Sequence, residues 1–175
     1  MAKAVFGGGC FWCLDAVFRK IEGINSVTCG YAGGRRANLN YEQVCTGVSG
    51  HAEVVEIEYD ENIITYDELL DIFFEIHDPT QLNRQGNDVG EQYRSIILYL
   101  DENQKQKALR KIEELKQKGI NVVTEVKSLE IFYAAEDYHQ NYFYSNPNNP
   151  YCAYVIAPKL EKVFKNFDKI VKKGV

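Results

Sequence analysis

Gly7-Gly8-Gly9-Cys10-Phe11-Trp12-Cys13 is the stretch on which the reading of this chain turns. Ahead of it, Ala4-Val5-Phe6 is a short apolar run that predicts a first β-strand. Behind it, Leu14, Val17, Phe18 and Ile21 recur at i, i+3, i+4 and i+7, the spacing of an amphipathic helix. Cys10 is therefore predicted at a strand-to-helix turn, on or just before the first helical residue. Unpaired backbone N–H groups and the positive end of the helix dipole favour a thiolate there. The glycines leave room above the sulfur for an approaching substrate. A buried structural Cys beside a loop is the alternative, but the Gly run, the helix start and the second thiol at Cys13 favour chemistry.

The composition bounds what that chemistry serves. A chain of 175 residues, 45% hydrophobic and 26% charged, is expected to form a single domain spanning 1–175 with a sizeable core. A net charge of −5 argues against non-specific binding to nucleic acid or to a membrane surface. Met1-Ala2-Lys3 runs straight into the first strand, which reads as a start without a signal peptide. Five cysteines (Cys10, Cys13, Cys29, Cys45 and Cys152) in such a chain predict a reducing, cytoplasmic setting with thiols unpaired. The single C-x-x-C has no second pair and no close His pair, so it makes a weak metal site, and no metal or cofactor is expected.

Further along, Val27 to Tyr31 reads as a strand and Arg35 to Tyr41 as a polar loop. Ala52 to Tyr59 alternates, with Glu53, Val55, Ile57 and Tyr59 on one face. Thr65 and Glu68 form a capping box before a helix with the core stripe Leu69, Ile72, Phe73 and Ile76. His77 to Gln92, with Pro79, Gly86 and Gly90, is a long aperiodic loop of the kind that is more often functional than accidental. Ser95 to Leu100 predicts a central strand and Asn103 to Lys118 an exposed helix. Val122–Val126 and Leu129–Tyr133 are short strand candidates, and Tyr138–Tyr144 a short helix. Pro158 opens a last helix with Leu160, Val163, Phe164, Phe167 and Val171 inward. Strand–helix–strand twice over predicts an α+β fold, a two-layer split β-α-β (ferredoxin-like) sandwich with a mixed, mostly antiparallel sheet.

Glu53 is the second informative residue. On the face expected to be buried, its carboxyl would have a raised pKa and could act as an acid at neutral pH; on an exposed edge it would be an ordinary solvated Glu, and the pattern leaves both open. Tyr41 and Tyr93 each precede a strand candidate, where a phenol can meet a polar substrate atom or simply pack. Asp88 reads as a turn former or a catalytic group, and Phe11 and Trp12 as core or as walls of an apolar pocket. None of His51, His77 and His139 is spaced from Cys10 in a way that tests a role. Cys29 and Cys45 look structural, whereas Cys13, at i+3, and Cys152, after a Pro/Asn-rich loop that could move, could each attack an oxidised Cys10.

Gly9-Cys10-Phe11-Trp12-Cys13, Gly50-His51-Ala52-Glu53, Asp88-x-Gly90-x-x-Tyr93-Arg94-Ser95 and Glu136-x-Tyr138-His139-Gln140 resemble, in that order, the motifs of peptide methionine sulfoxide reductase A. The resemblance implies that Cys10 is the nucleophile and Glu53 the acid that protonates the sulfoxide oxygen. It implies that Tyr41, Tyr93 and Asp88 bind substrate, and that Phe11 and Trp12 line a pocket for its methyl group. The implied substrate is the S epimer of methionine sulfoxide, free or in proteins. The implied reductant is thioredoxin, acting after a second thiol has condensed with the Cys10 sulfenic acid. Many members carry Gly where this chain has Cys13. Position and the loop before it favour Cys152 over Cys13 as that second thiol. A monomer is expected. From the residues alone, the rival is a thioredoxin-like thiol–disulfide oxidoreductase using the Cys10/Cys13 pair.

Overall fold

The computed structural model describes residues 1–34 and 50–172. Tyr41, Cys45 and the predicted 35–41 loop lie outside the described residues.

Strand β1 (Ala2–Gly7) leads through the glycines to α1 (Phe11–Phe18) and β2 (Ile24–Ala32). Strand β3 (Ala52–Tyr59) then leads to α2 (Tyr66–Ile76), and a short hairpin, β4 (Arg84–Gln85) and β5 (Asp88–Val89), precedes β6 (Ile96–Tyr99). Next come α3 (Glu102–Gln117), β7 (Glu125–Ser128), β8 (Phe132–Ala134), a single turn α4 (Tyr142–Ser145) and α5 (Ala157–Asn166). The main sheet has the order β7-β6-β1-β3-β2-β8. Its pairs are antiparallel except β6 with β7. The fold class is thus α+β with a mixed, mostly antiparallel sheet.

Strand alternation sorts side chains onto two faces. Phe6, Cys29, Tyr31, Val55 and Ile57 join Leu14, Val17, Phe18, Leu69, Phe73, Leu160 and Val163 in the larger core, under the helices. Val5, Ala32, Val54, Ile96 and Leu98 form a smaller cluster on the other face, with Leu129 and Phe132 against it. The predicted β3 strand and the α2 capping box are both present, with Glu68 N–H donating to Thr65 Oγ1 at 3.1 Å.

Other expectations need correction. The strand predicted as central, β6, is one place in from the edge; it reads as fully apolar because both clusters cover it and β7 pairs along its outer side. The helix predicted over 138–144 is broken into a 3₁₀ turn at Asp137–His139 and the turn α4. Asn141, at φ 54°, separates the two and donates its N–H to Asp15 Oδ2 at 2.7 Å. The long 77–92 loop holds the β4/β5 hairpin and a 3₁₀ turn at Glu91–Tyr93. Pro158 does lie in the first turn of α5, but the helical path starts earlier, in a π-helical turn at Cys152–Ile156. Among the described residues no helix is long and apolar enough to cross a membrane.

Candidate active site

Gly9, at φ 80°, turns the chain from β1 into α1, in a conformation that suits glycine, and its N–H donates to the Tyr93 carbonyl at 3.0 Å. Cys10 follows as the N-cap residue, partly exposed, and Cys13 N–H donates to its carbonyl at 3.1 Å. The predicted position therefore holds. The predicted thiolate does not. Burial raises the Cys10 thiol well above its ordinary value, and charge on Glu53 and Cys13 pushes the same way, with the Trp12 N–H opposing. One N–H and the end of a two-turn helix do not offset desolvation beside a carboxyl group. The resting residue is a protonated thiol.

Glu53 supplies that carboxyl group. It pairs with Tyr31 across the β2/β3 ladder, on an interior strand, and has no exposed surface. The solvated-edge alternative is thereby removed. Its Oε1 accepts the Phe11 N–H at 3.1 Å, while Oε2 is buried with no hydrogen-bond partner among the described residues. Burial lifts its pKa from 4.5 to about 8; the Phe11 N–H pulls it down and Asp88 adds to the rise. Glu53 accordingly holds a proton at neutral pH, with one oxygen fixed by the helix start and the other uncommitted.

Around this pair the structure gathers residues from four separate segments. Asp88, on β5, accepts a hydrogen bond from the Tyr151 hydroxyl at 2.6 Å, and its charge acts on Cys10, Cys13 and Glu53. Trp12 stacks on Tyr142 with centroids 3.8 Å apart, meets Tyr151 edge-on, and donates its indole N–H to His139 Nδ1 at 3.1 Å. Phe11 is wholly buried between Tyr31 and His139, facing the core, whereas Trp12 is partly exposed. Tyr93 is partly exposed on its 3₁₀ turn and touches the nucleophile loop through its carbonyl.

Cys13 and Cys152 are both buried thiols, and burial pushes Cys13 up to about 11 and raises Cys152 as well. Cys152 is not on an open loop: it starts the π-helical turn and packs in the main core, because the helix it leads into lays its apolar stripe against the other helices. The exposed stretch is the one before it, 145–148. Among the described residues no group of three or more His, Cys, Asp or Glu could hold a metal ion. Sequence reasoning missed Tyr142 and Tyr151 and gave no role to His139. The only signal for them was a surplus of tyrosines, because contacts 127 residues apart, such as Trp12 with His139, leave no spacing to read.

A proton-bearing carboxyl group, a thiol at a helix start and an aromatic wall suit nucleophilic attack on a small polar sulfur centre whose leaving oxygen must be protonated. The peptide methionine sulfoxide reductase family model matches residues 2–171. The chain belongs to that family. It is similar to the peptide methionine sulfoxide reductase MsrA of Nautilia profundicola, with 79% identity over 94% of this chain and 95% of that one. Among solved structures it is similar to Mxr1 from Saccharomyces cerevisiae in its reduced form, with TM-score 0.81, 35% identity and coverage of 86% of this chain and 88% of that one. It is also similar to Mxr1 in complex with Trx2, with TM-score 0.57, 26% identity and coverage of 81% and 84%. The protein is an enzyme of this class, a methionine sulfoxide reductase, and the thioredoxin-like alternative is set aside.

Proposed function

We propose that Cys10 and Glu53 carry the reaction, reducing the S epimer of methionine sulfoxide, free or in proteins. Glu53 gives its proton to the sulfoxide oxygen as Cys10 Sγ attacks the sulfur; the thiol proton replaces it on Glu53. The sulfur–oxygen bond breaks as the oxygen passes to Cys10 Sγ, the Cys10–methionine sulfur bond breaks in turn, and methionine leaves with Cys10 as a sulfenic acid. A second thiol then displaces water to form a disulfide, which a dithiol partner reduces. Thioredoxin is the partner this reading assigns, with support from the complex of the yeast relative with Trx2. Cys152 is the assigned resolving thiol, with Cys13 as the competitor. Trp12, Tyr93 and Asp88, together with Tyr41, are assigned to substrate; Phe11, expected as a pocket wall, is instead packed in the core between Tyr31 and His139 and serves through its N–H on Glu53.

The observation that carries this reading is Glu53, fully buried, with Oε1 tied to the residue after Cys10 and Oε2 without a hydrogen-bond partner among the described residues. The arrangement suits a group that must keep its proton until a substrate oxygen arrives. The test is a single turnover with methionine S-sulfoxide in the absence of reductant. One methionine should form per enzyme, with a sulfenic acid trappable on Cys10 when the other cysteines are Ser. No methionine, or a trapped adduct elsewhere, would sink the assignment.

The order β6-β1-β3-β2, antiparallel throughout, supports the split β-α-β reading of the sheet core, with β7 and β8 as edge additions. The same reading takes the chain as one catalytic domain acting as a monomer, and the unpaired Cys10, Cys13, Cys29 and Cys152 support a reducing, cytoplasmic setting.

A further inference from the structure

The glycines before Cys10 rest on a histidine. A Cβ on Gly8 would fall 2.8 Å from Cδ2, 2.9 Å from Cγ and 3.1 Å from Nε2 of His77, so the imidazole lies flat against this backbone. The ring also packs on Phe73, with centroids 4.2 Å apart. His77 Nδ1 is 2.6 Å from the Phe73 carbonyl, and Nε2 is 2.7 Å from Ser95 Oγ. A carbonyl only accepts, so Nδ1 carries the proton and Nε2 accepts from the Ser95 hydroxyl. Ser95 Oγ then accepts in turn from Thr124 Oγ1, at 2.7 Å. Every hydrogen in this chain has one assignable place. Gln85 completes the support beside it: its side-chain amide closes on both backbone groups of Asp78, and its Cγ would lie 2.9 Å from a Cβ on Gly9.

We propose that His77 is a positioning residue for the reductase reaction: its imidazole, locked as the Nδ1–H form between Phe73 and Ser95, is the floor on which Gly8 sits and fixes where Cys10 Sγ points relative to Glu53. The inference rests on Cys10 and Glu53 as the reacting pair. Burial drives the ring's pKa down to about 4, so it stays neutral through the working range; Asp78 and Lys159 are the charged groups that act on it. His77 itself is buried. Its reach is through the backbone, and displacement of a nucleophile by about 1 Å is enough to cost on the order of 10²-fold in rate.

The experiment is a rapid-quench burst with methionine S-sulfoxide on wild type, His77→Gln and Gly8→Ala. The first removes the ring and keeps polar atoms; the second keeps the ring and lifts the loop off it by one methyl group. Both should lower the burst rate constant by about tenfold or more, with a burst amplitude near one methionine per folded enzyme. Ser95→Ala, which frees the ring to turn, should fall in the same direction by less. A role confined to stability would lower melting temperature and burst amplitude and leave the rate per titrated site unchanged. That result in soluble His77→Gln, or in Gly8→Ala should His77→Gln fail to fold, overturns the inference. A wild type without any burst would overturn the Cys10 reading and this inference with it.

Discussion

Two proton affinities that burial has moved in the same direction decide what the Cys10–Glu53 pair can do. Burial is the largest cause for each, charge on Glu53 further opposes ionisation of Cys10, and charge on Asp88 opposes ionisation of both, so at rest both are neutral. Substrate oxygen is what lets one proton leave. Three expectations follow from these residues. Cys10→Ser should show no single-turnover methionine. Glu53→Gln can still accept the Phe11 N–H but cannot give up a proton, so its burst should be slower by at least about 10². In wild type the burst should decline as pH rises through about 8, where Glu53 loses its proton, and a flat profile to pH 9 would remove Glu53 as the acid. The same shift bears on stability. Below pH 4.5 Glu53 is protonated folded or unfolded and costs nothing. Between 4.5 and about 8 the unfolded chain releases that proton and the folded one does not, so stability falls as pH rises. Glu53→Gln should therefore melt higher than wild type at pH 8 and no higher at pH 4. Because charge on Glu53 also raises Cys10, Glu53→Gln should shift the pH profile of Cys10 alkylation by iodoacetamide downward; an upward shift would show that the two groups do not communicate as argued.

Elements that announce themselves are those with their own internal pattern. The α2 start is one. Thr65 and Glu68 exchange hydrogen bonds at 3.1 Å in both directions, as their spacing predicts. Thr65→Ala should cost about 1 kcal/mol in chemical denaturation, with the burst rate unchanged, since the cap lies away from Cys10. The β3 alternation was equally legible and put Glu53 on the face of Val55 and Ile57; that this face is buried depends on the strand's interior place in the sheet. Other elements exist only because distant residues make them. Gln140 is an example: its amide accepts from Cys29 N–H at 2.8 Å and donates to the Cys29 carbonyl at 3.0 Å, so a side chain does the work of a strand beside β2. Asp15, buried on α1, similarly receives Asn141 N–H and pairs with Arg19. Nothing in the local sequence around 138–144 shows that this segment is pinned by residues more than a hundred positions earlier, so periodicity read a helix there and tertiary contacts broke it. Tyr142, Tyr151 and the role of His139 were unreadable for the same reason, whereas a turn fixed Cys10 locally and strand alternation fixed the face, though not the burial, of Glu53.

Across the whole molecule, turnover depends on which thiol meets the oxidised Cys10, and the two candidates make different demands on the fold. Cys13 is near in sequence, but i and i+3 side chains lie about 5–6 Å apart at Cβ, against roughly 3.5–4.5 Å for a disulfide. Closing that gap means opening the Cys13 N–H to Cys10 carbonyl bond in the first turn of α1. That same turn holds Phe11 N–H on Glu53, so a Cys10–Cys13 bond would disturb the acid. Cys152 demands movement elsewhere. It must leave the core, and Tyr151 would be drawn off Asp88 with it. What holds it is a π-helical turn, a rare geometry found often at functional sites. The residues before it are exposed, with Asn149 Oδ1 receiving the Tyr151 N–H at 2.9 Å as a local tether. Unwinding that turn leaves α1 and Glu53 intact, which favours Cys152. One equivalent of methionine S-sulfoxide without reductant, followed by mass-spectrometric disulfide mapping, should give Cys10–Cys152 in wild type and in Cys13→Ser. Amide hydrogen exchange over 151–156 should rise on oxidation. In Cys152→Ser, turnover with thioredoxin should stop after the first methionine. A wild-type Cys10–Cys13 bond, with Cys152→Ser still cycling on thioredoxin, would show instead that α1 opens and the C-terminal helix stays in place.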